Sequence, residues 1–168
     1  MASAGASGSA GAPASAEAIA SGEATASGEA PAATPDPAIP GAIEAVRRLA
    51  RTHPLGLASS AHREVIDAAL RTTGLADAFR VVVSSDEVAR GKPEPDVYLE
   101  TARRLGVAPR DCLVIEDSLN GVLAARAAGM TVVLIPNAGV PPAAGAGAAA
   151  SLVLDSITDL DADHVPGL

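Results

Sequence analysis

The chain has 168 residues and a formal net charge of −8, and 48% of its residues are hydrophobic, with alanine the commonest. This acidic balance argues against a surface for nucleic acid or anionic membranes. No apolar run approaches the roughly 18 residues of a membrane span, and no basic, leucine-rich start predicts a signal or transit peptide. The single cysteine, Cys112, fits a reducing compartment, so the sequence predicts a cytoplasmic protein.

Residues 1–38 consist almost wholly of Ala, Ser, Gly, Pro, Thr and Glu, and SGEATA (21–26) is followed by the near-repeat SGEAPA (27–32). Such small side chains cannot offset the entropy lost on ordering, so this low-complexity segment is predicted to be a disordered tail. A tether or partner-binding role is the alternative to a passive tail. The folded domain is predicted over residues 39–168.

Beyond Pro40, helical and strand patterns alternate along the chain. Each strand is continuously apolar, which is typical of a parallel sheet covered by helices on both faces. The sequence therefore predicts an α/β fold with a doubly wound parallel sheet. In chain order the predicted elements are a helix in GAIEAVRRLA (41–50), a strand in LGLASS (55–60), a helix in EVIDAALRTTG (64–74), a strand in RVVVSS (80–85), a helix in EPDVYLETARRLG (94–106), a strand in CLVIE (112–116), a helix in SLNGVLAARAAG (118–129), a strand in TVVLIP (131–136) and, after an Ala/Gly/Pro loop, a short strand and helical turn in SLVLDSITDL (151–160).

Polar side chains follow three successive strands at their carboxyl ends, where ligands bind in open α/β sheets. The first strand ends on Ser59 and Ser60, the second leads to Lys92, and the third ends on Glu116 and Asp117. Hydroxyl and N–H groups hold phosphate oxygens, lysine offsets their charge, and adjacent carboxylates supply hard oxygen ligands. The set predicts a site for a phosphate and a divalent cation such as Mg²⁺.

Each of these residues also has an interpretation without a ligand. Ser59, Ser60 and Asp117 are suited to capping the helices that follow them. Lys92 taken alone is typical of a solvated surface charge, and Glu116 with Asp117 could be ordinary loop acids. Their joint placement at successive strand ends favours the site.

Other polar or small residues in the chain do not predict a site. His53, His62 and His164 lack the spacing of metal ligands and are interpreted as surface or loop residues. Cys112 opens a strand and is interpreted as a small core residue. GAGAAA (145–150) lacks the third glycine of a dinucleotide-binding fingerprint. It is therefore interpreted as part of an alanine- and glycine-rich segment and not as a binding motif.

From about Pro40 to Leu160 the chain resembles the haloacid dehalogenase superfamily, in particular its phosphatase and phosphoglucomutase-like branch. LGLASSAHREVI is similar to the second motif of that family, VARGKPEPDVYLETARRLGV to the third and CLVIEDSLNGVLAARAAGM to the fourth. The resemblance implies that Ser59 binds phosphate, that Lys92 stabilises it and that Glu116 and Asp117 hold Mg²⁺. Response-regulator receivers also place acids, a hydroxyl and a lysine at strand ends, but in a different chain order.

The family's first motif, an apolar strand ending in Asp-x-Asp, is missing from the sequence. In the family its first aspartate attacks the phosphoryl group and its second acts as general acid and base. The only aspartate before residue 58 is Asp36, which lies among prolines after no apolar strand, so no nucleophile is assigned. The inserted cap domain is missing as well. Without the central strand, the sheet must either keep a gap or pair LGLAS directly with CLVIE.

The resemblance implies a Mg²⁺-dependent phosphate-monoester phosphatase acting on a small phosphorylated metabolite. Because the nucleophile motif is missing, the chain is expected to be inactive in isolation, and a truncated or mis-started amino terminus would explain this. The alternative is a non-catalytic remnant that binds phosphate and Mg²⁺ or accepts a partner, or a second copy, at an open sheet edge. The acidic pair argues against a true dehalogenase, which needs no Mg²⁺.

Overall fold

A computed structural model describes residues 41–137 and 139–165 of the chain. The predicted tail, residues 1–38, and Asp36 within it lie outside the described residues. Within them, every helix and strand expected from the sequence is present. The helices are α1 (Ala42–Leu49), α2 (Arg63–Thr73), α3 (Asp96–Leu105), α4 (Leu119–Ala127) and α5 (Ala146–Ala149), and the strands are β1 (Gly56–Ser59), β2 (Val81–Ser84), β3 (Leu113–Glu116), β4 (Thr131–Leu134) and β5 (Leu152–Val153).

The helix ends follow from local sequence. Gly74 after α2 and Gly106 after α3 both adopt left-handed backbone conformations, with φ of 66° and 74°, which glycine adopts without the steric cost of a Cβ atom. Helix α3 begins directly after Pro95. At the start of α4 the Ser118 Oγ accepts a hydrogen bond of 3.0 Å from the Gly121 N–H. These boundaries agree with the predicted helices to within a few residues.

The described part of the chain forms two parallel sheets, one of β1 and β2 and the other of β3, β4 and β5. All four residues of β1 and all four of β3 are buried, as expected for strands covered on both faces. On one side Leu57, Leu113 and Ile115 pack with α1 and α2. On the other side Ala58 and Val114 pack with α3 and α4. The predicted α/β fold with helices on both faces is confirmed.

Strands β1 and β3 do not pair with each other among the described residues. Instead, β1 is paired in register with β2, and β3 is paired in register with β4. Of the two arrangements expected, direct pairing of β1 with β3 is not found in the part of the chain that the structure describes. The carboxyl ends of both strands nevertheless lie at the same edge, which is where the candidate site forms.

Two local expectations differ from the structure. The Ala/Gly/Pro loop contains the short helix α5, which falls within GAGAAA. His53 lies in a loop as expected, but it is buried, with 8% of its surface exposed, while His62 and His164 are exposed.

Cys112 is fully buried among apolar side chains, as predicted. No helix in the described ranges is long and apolar enough to cross a membrane.

Candidate functional site

The structure brings Lys92 and Glu116 together at the carboxyl edge of the two sheets. The Lys92 Nζ donates to Glu116 Oε1 at 2.7 Å and to the Ala58 carbonyl oxygen at 3.2 Å. Only 5% of the Lys92 side chain and 2% of the Glu116 side chain are exposed. Because Ala58 belongs to β1 and Glu116 to β3, this ammonium group links the ends of the two sheets.

The Glu116 carboxylate accepts hydrogen bonds at both oxygens. Oε1 accepts from Lys92 and from the Tyr98 hydroxyl at 2.6 Å. Oε2 accepts from the Asp117 N–H at 3.0 Å, from the Ser118 N–H at 3.1 Å and from the Ser118 Oγ at 2.9 Å. A buried carboxylate is stable only when it is paired and hydrogen-bonded in this way. The network therefore fixes Glu116 at the point where β3 meets α4.

Burial and charge act in opposite directions on this pair. Burial alone would raise the pKa of Glu116, but the ammonium of Lys92 and the hydrogen bonds from Lys92, Tyr98 and Ser118 outweigh it and hold the pKa below its usual value. Burial lowers the pKa of Lys92, although the charges of Glu116 and Asp117 oppose that shift. Glu116 is therefore a carboxylate at neutral pH.

Asp117 differs from its neighbour Glu116 in having no such set of partners. Its side chain is half-buried, and no ion pair or side-chain donor from residues 41–137 and 139–165 reaches its carboxylate. Burial, and then the charge of Glu116, raise the pKa of Asp117. A partly desolvated acid beside a second acid is stabilised by a cation, which makes Asp117 the better placed of the two for a metal ion.

The serines at the end of β1 have different environments. Ser59 is buried, and its Oγ accepts a hydrogen bond of 3.1 Å from the Ala61 N–H. Ser60 is exposed, and its carbonyl oxygen accepts from the Ser85 Oγ at 2.8 Å. Neither serine caps α2, whose N-cap position is His62 without a side-chain cap. The capping interpretation is therefore wrong for both serines, and their role in phosphate binding stays a prediction.

The carboxylates can be tested against the chemistry of Mg²⁺, which takes oxygen ligands in an octahedral arrangement. Asp117 fits a direct ligand because its oxygens are available. Glu116 does not fit one in this arrangement, since both of its oxygens already accept from protein donors. Among the described residues, no group of three or more His, Cys, Asp or Glu side chains is placed to hold a metal. Phosphate oxygens, water or residues outside the described ranges would have to supply the remaining ligands.

Tyr98, Ser118 and Gly121 belong to the site but are not predicted as site residues from the sequence. Besides donating to Glu116, the Tyr98 ring lies 4.7 Å from the Lys92 Nζ, within the range of a cation–π contact. A Cβ atom at position 121 would overlap the Glu116 carboxylate, so only glycine leaves room for it. A glycine inside a predicted helix is unfavourable unless close packing requires it. The position of Gly121 in the first turn of α4 was therefore a sequence signal for a close contact at this point.

A family model of haloacid dehalogenase-like hydrolases matches residues 8–129, which is more than half of the chain. The chain belongs to this family. The match begins upstream of Pro40 and ends short of Leu160, so its bounds differ from those of the motif-based resemblance.

Individual relatives of the haloacid dehalogenase-like hydrolases agree with this assignment. The chain is 41% identical over 126 residues to the bifunctional riboflavin kinase/FMN phosphatase of Arabidopsis thaliana, covering 73% of this chain and 32% of that protein. It is 38% identical over 101 residues to hexitol phosphatase B of Escherichia coli, covering 60% of this chain and 46% of that protein. Among solved structures, CbbY from Rhodobacter sphaeroides in complex with phosphate has a TM-score of 0.66 and 31% identity.

The alignment with CbbY covers 73% of this chain and 56% of that chain. This haloacid dehalogenase-like chain therefore spans between about a third and somewhat more than half of the length of these three relatives. The relatives support the phosphatase branch of the family. Because the match covers only part of each relative, the activity of a whole relative is not assigned to this chain.

Proposed function

We propose that this chain carries the phosphate- and magnesium-positioning part of a phosphate-monoester phosphatase site, with a small phosphorylated metabolite as substrate. The observation that carries the proposal is the buried Lys92–Glu116 pair, held between the ends of β1 and β3. A lysine kept in a fixed place at a strand edge is suited to offset the charge of a phosphate group. The relatives named FMN phosphatase and hexitol phosphatase support the same reaction class.

Each residue has a distinct part in the proposed site. Lys92 would lie beside the phosphate oxygens and lower the cost of their negative charge. Ser59 and Ser60 would donate hydroxyl hydrogen bonds to those oxygens. Asp117 would hold Mg²⁺ directly, and Glu116 would keep Lys92 in place. When bound, Mg²⁺ neutralises charge on the phosphate oxygens.

Inactivity of the isolated chain is part of the proposal. Covalent phosphoryl transfer needs a nucleophile, and removing one costs a well-studied hydrolase on the order of 10⁶-fold in rate. Neither Asp36 nor a residue within 41–165 is assigned that role. A cytoplasmic location belongs to the proposal too, because the chain has a single cysteine, Cys112, which is fully buried beside β3.

A calorimetric titration of the full chain with inorganic phosphate, with and without Mg²⁺, tests the binding part of the proposal. Asp117→Asn is expected to weaken Mg²⁺-dependent phosphate binding by at least about tenfold, the lower end of what even second-shell changes cost at metal sites. Asp155→Asn, which changes an exposed aspartate in the same way, is the matched control and should bind like the parent. Equal binding by the parent and Asp117→Asn would contradict the assignment of Asp117.

The second candidate is a non-catalytic protein that binds phosphate and Mg²⁺. It is favoured by the hydrogen bonds that occupy both oxygens of Glu116, which give that residue a holding role rather than a chemical one. Hydrolysis of p-nitrophenyl phosphate separates the two candidates if the chain is assayed together with a polypeptide that carries an Asp-x-Asp strand. Turnover that depends on Lys92 supports the phosphatase, and binding without turnover supports the second candidate.

A further inference from the structure

Ser84, the last residue of β2, is completely buried although its side chain is polar. In the register of the two parallel strands it lies beside Ser59, the last residue of β1. The Ser84 Oγ donates a hydrogen bond of 2.7 Å to the Ala61 carbonyl oxygen and accepts one of 3.1 Å from the Asp86 N–H. The hydroxyl therefore accepts within its own turn and uses its single hydrogen on the loop that follows β1.

Ala61 connects Ser84 with Ser59, one of the two serines of the candidate phosphate site. The Ala61 N–H donates to the Ser59 Oγ at 3.1 Å. A hydroxyl that accepts this bond still has its own hydrogen to donate, and the accepted bond limits the direction in which it does so. Because Ser84 holds the carbonyl group of the same alanine, two hydrogen bonds form a chain from Ser84 through Ala61 to Ser59.

The two residues after Ser84 bind the same loop. The Ser85 Oγ donates to the Ser60 carbonyl oxygen at 2.8 Å, and the Asp86 carboxylate accepts from the Arg63 N–H at 3.2 Å. Ser84 is the buried member of this set, since Ser85 is half-buried and Asp86 is exposed. Water can replace a lost partner at an exposed position more easily than at a buried one, so the Ser84 bond is expected to matter most.

Packing on the side of α2 does not hold the loop closely. A cavity of about 40 Å³ lies there, and both Ser59 and Ala61 line it together with apolar side chains of β1 and α2. Groups beside a cavity lack part of the contacts that fix a packed side chain. The hydrogen bonds from the end of β2 therefore contribute a larger share of what keeps the loop in place.

We propose that Ser84 is a positioning residue of the candidate site, which fixes Ala61 and through it the direction of the Ser59 hydroxyl. Ser84 does not contact phosphate itself, because none of its surface is exposed. The consequence for phosphate rests on the proposed function, whereas the effect on the loop does not depend on it. The alternative is that Ser84 only caps the 3₁₀ turn Ser85–Glu87, a role that uses its acceptor and leaves the bond to Ala61 without consequence.

Calorimetric titration of the full chain with inorganic phosphate in the presence of Mg²⁺ tests the role of Ser84. Ser84→Ala is expected to weaken phosphate binding about three- to tenfold, the range that one hydrogen bond accounts for. In a chain that already carries Ser59→Ala, the same change should weaken binding less than about twofold, since residues that act through one another are not additive. Ser151→Ala removes a hydroxyl bonded to the Val132 N–H at the other edge of the sheet, and it should bind like the parent.

Residue-resolved amide hydrogen exchange gives a second measurement that needs no ligand. In Ser84→Ala the Ala61 amide, which is bonded to the Ser59 Oγ, should exchange at least about threefold faster than in the parent. The Val133 amide, which lies in the β3–β4 pair, is the internal control and should not change. Ser84→Cys keeps a weaker donor at the same position, so under reducing conditions its binding and exchange should fall between those of the parent and Ser84→Ala.

Several outcomes would overturn this role of Ser84. Unchanged exchange at Ala61 would leave Ser84 with a capping role only, and an equal loss of binding with and without Ser59 would show a general loss of structure. If Ser84→Ala does not fold, Ser84→Cys takes its place, and binding and exchange equal to those of the parent would then contradict the role. A parent chain that binds no phosphate would contradict the proposed function alone, and exchange at Ala61 would still decide whether Ser84 positions the loop.

Discussion

Replacing Glu116 by glutamine tests whether this carboxylate is what holds the candidate site together. The side chain accepts two hydrogen bonds at Oε1 and three at Oε2. Glutamine has the same shape but carries an NH₂ group in place of one oxygen. In either orientation that group faces donors, which are Lys92 and Tyr98 on one side and two backbone N–H groups on the other. Lys92 also loses the charge that compensates its burial.

The expected loss of stability follows from the burial of the Lys92–Glu116 ion pair. Removing one partner of a buried ion pair leaves an uncompensated charge and costs about 3–5 kcal/mol in the free energy of unfolding. Lys92→Met removes the hydrogen bonds to Glu116 and to the Ala58 carbonyl. It should nevertheless cost less, because the four remaining donors to Glu116 still compensate its buried charge. The order of the two variants is thus predicted, with Glu116→Gln the more destabilised.

Urea unfolding at pH 7, followed by far-ultraviolet circular dichroism, measures both variants against the parent. Glu94→Gln makes the same change in a solvent-exposed ion pair with Arg90 and serves as the control, with no resolvable shift of the midpoint expected. A loss of less than about 1 kcal/mol for Glu116→Gln would refute the reasoning, since that is the range of an exposed pair. A larger loss for Lys92→Met than for Glu116→Gln would refute it as well.

Three further predictions concern the surroundings of this carboxylate. Gly121→Ala introduces a methyl group that overlaps Glu116, and it should lower the free energy of unfolding by about 1–3 kcal/mol or more in a thermal melt; an unchanged melting temperature would contradict the overlap. Tyr98→Phe removes the 2.6 Å hydrogen bond to Glu116 and should lower the free energy of unfolding measured in urea by about 1.5–3 kcal/mol. An unchanged urea midpoint would contradict this contribution. Hydrogen bonds from two arginines lower the pKa of Glu100 to about 2, so its contribution is present above the unfolded pKa near 4.5 and is lost as the pH falls toward 2. Melting temperatures of the parent and Glu100→Gln should therefore converge between pH 4.5 and pH 2, and parallel curves would count against the shift.

The strands were predictable because their apolar runs are continuous and are bounded by polar or turn residues. VVV in β2 and LVI in β3 have no helical period, and a glycine closes the helix that precedes each strand, α2 before β2 and α3 before β3. The positions of Lys92, Glu116 and Asp117 relative to the sheet edge follow from those boundaries. The family resemblance led to the expectation of either a gap or a direct pairing between β1 and β3, and within residues 41–137 and 139–165 the two strands do not pair.

The partners of the site residues were not predictable, because they come from other elements. Tyr98 reaches Glu116 from α3, 18 positions away in sequence, and no local pattern indicates which face of that helix meets β3. Glu116 and Asp117 differ because hydrogen-bond donors at the start of α4 bind the carboxylate of Glu116. The sequence does not show which of the two acids those donors reach. Helix α5 was missed because its residues are alanine and glycine, which show no apolar period. His53 lies in a loop as expected, but its burial depends on tertiary packing that the sequence does not show.

The position of Tyr98 has a practical consequence for spectroscopy. The chain has one tyrosine and no tryptophan, so its tyrosine absorption and emission come from a single side chain. That side chain touches both Glu116 and Lys92. Loss of the ion pair or entry of an anion would alter the surroundings of this one chromophore. The protein therefore carries an intrinsic, label-free reporter in its candidate site, with no other tyrosine or tryptophan to obscure the signal.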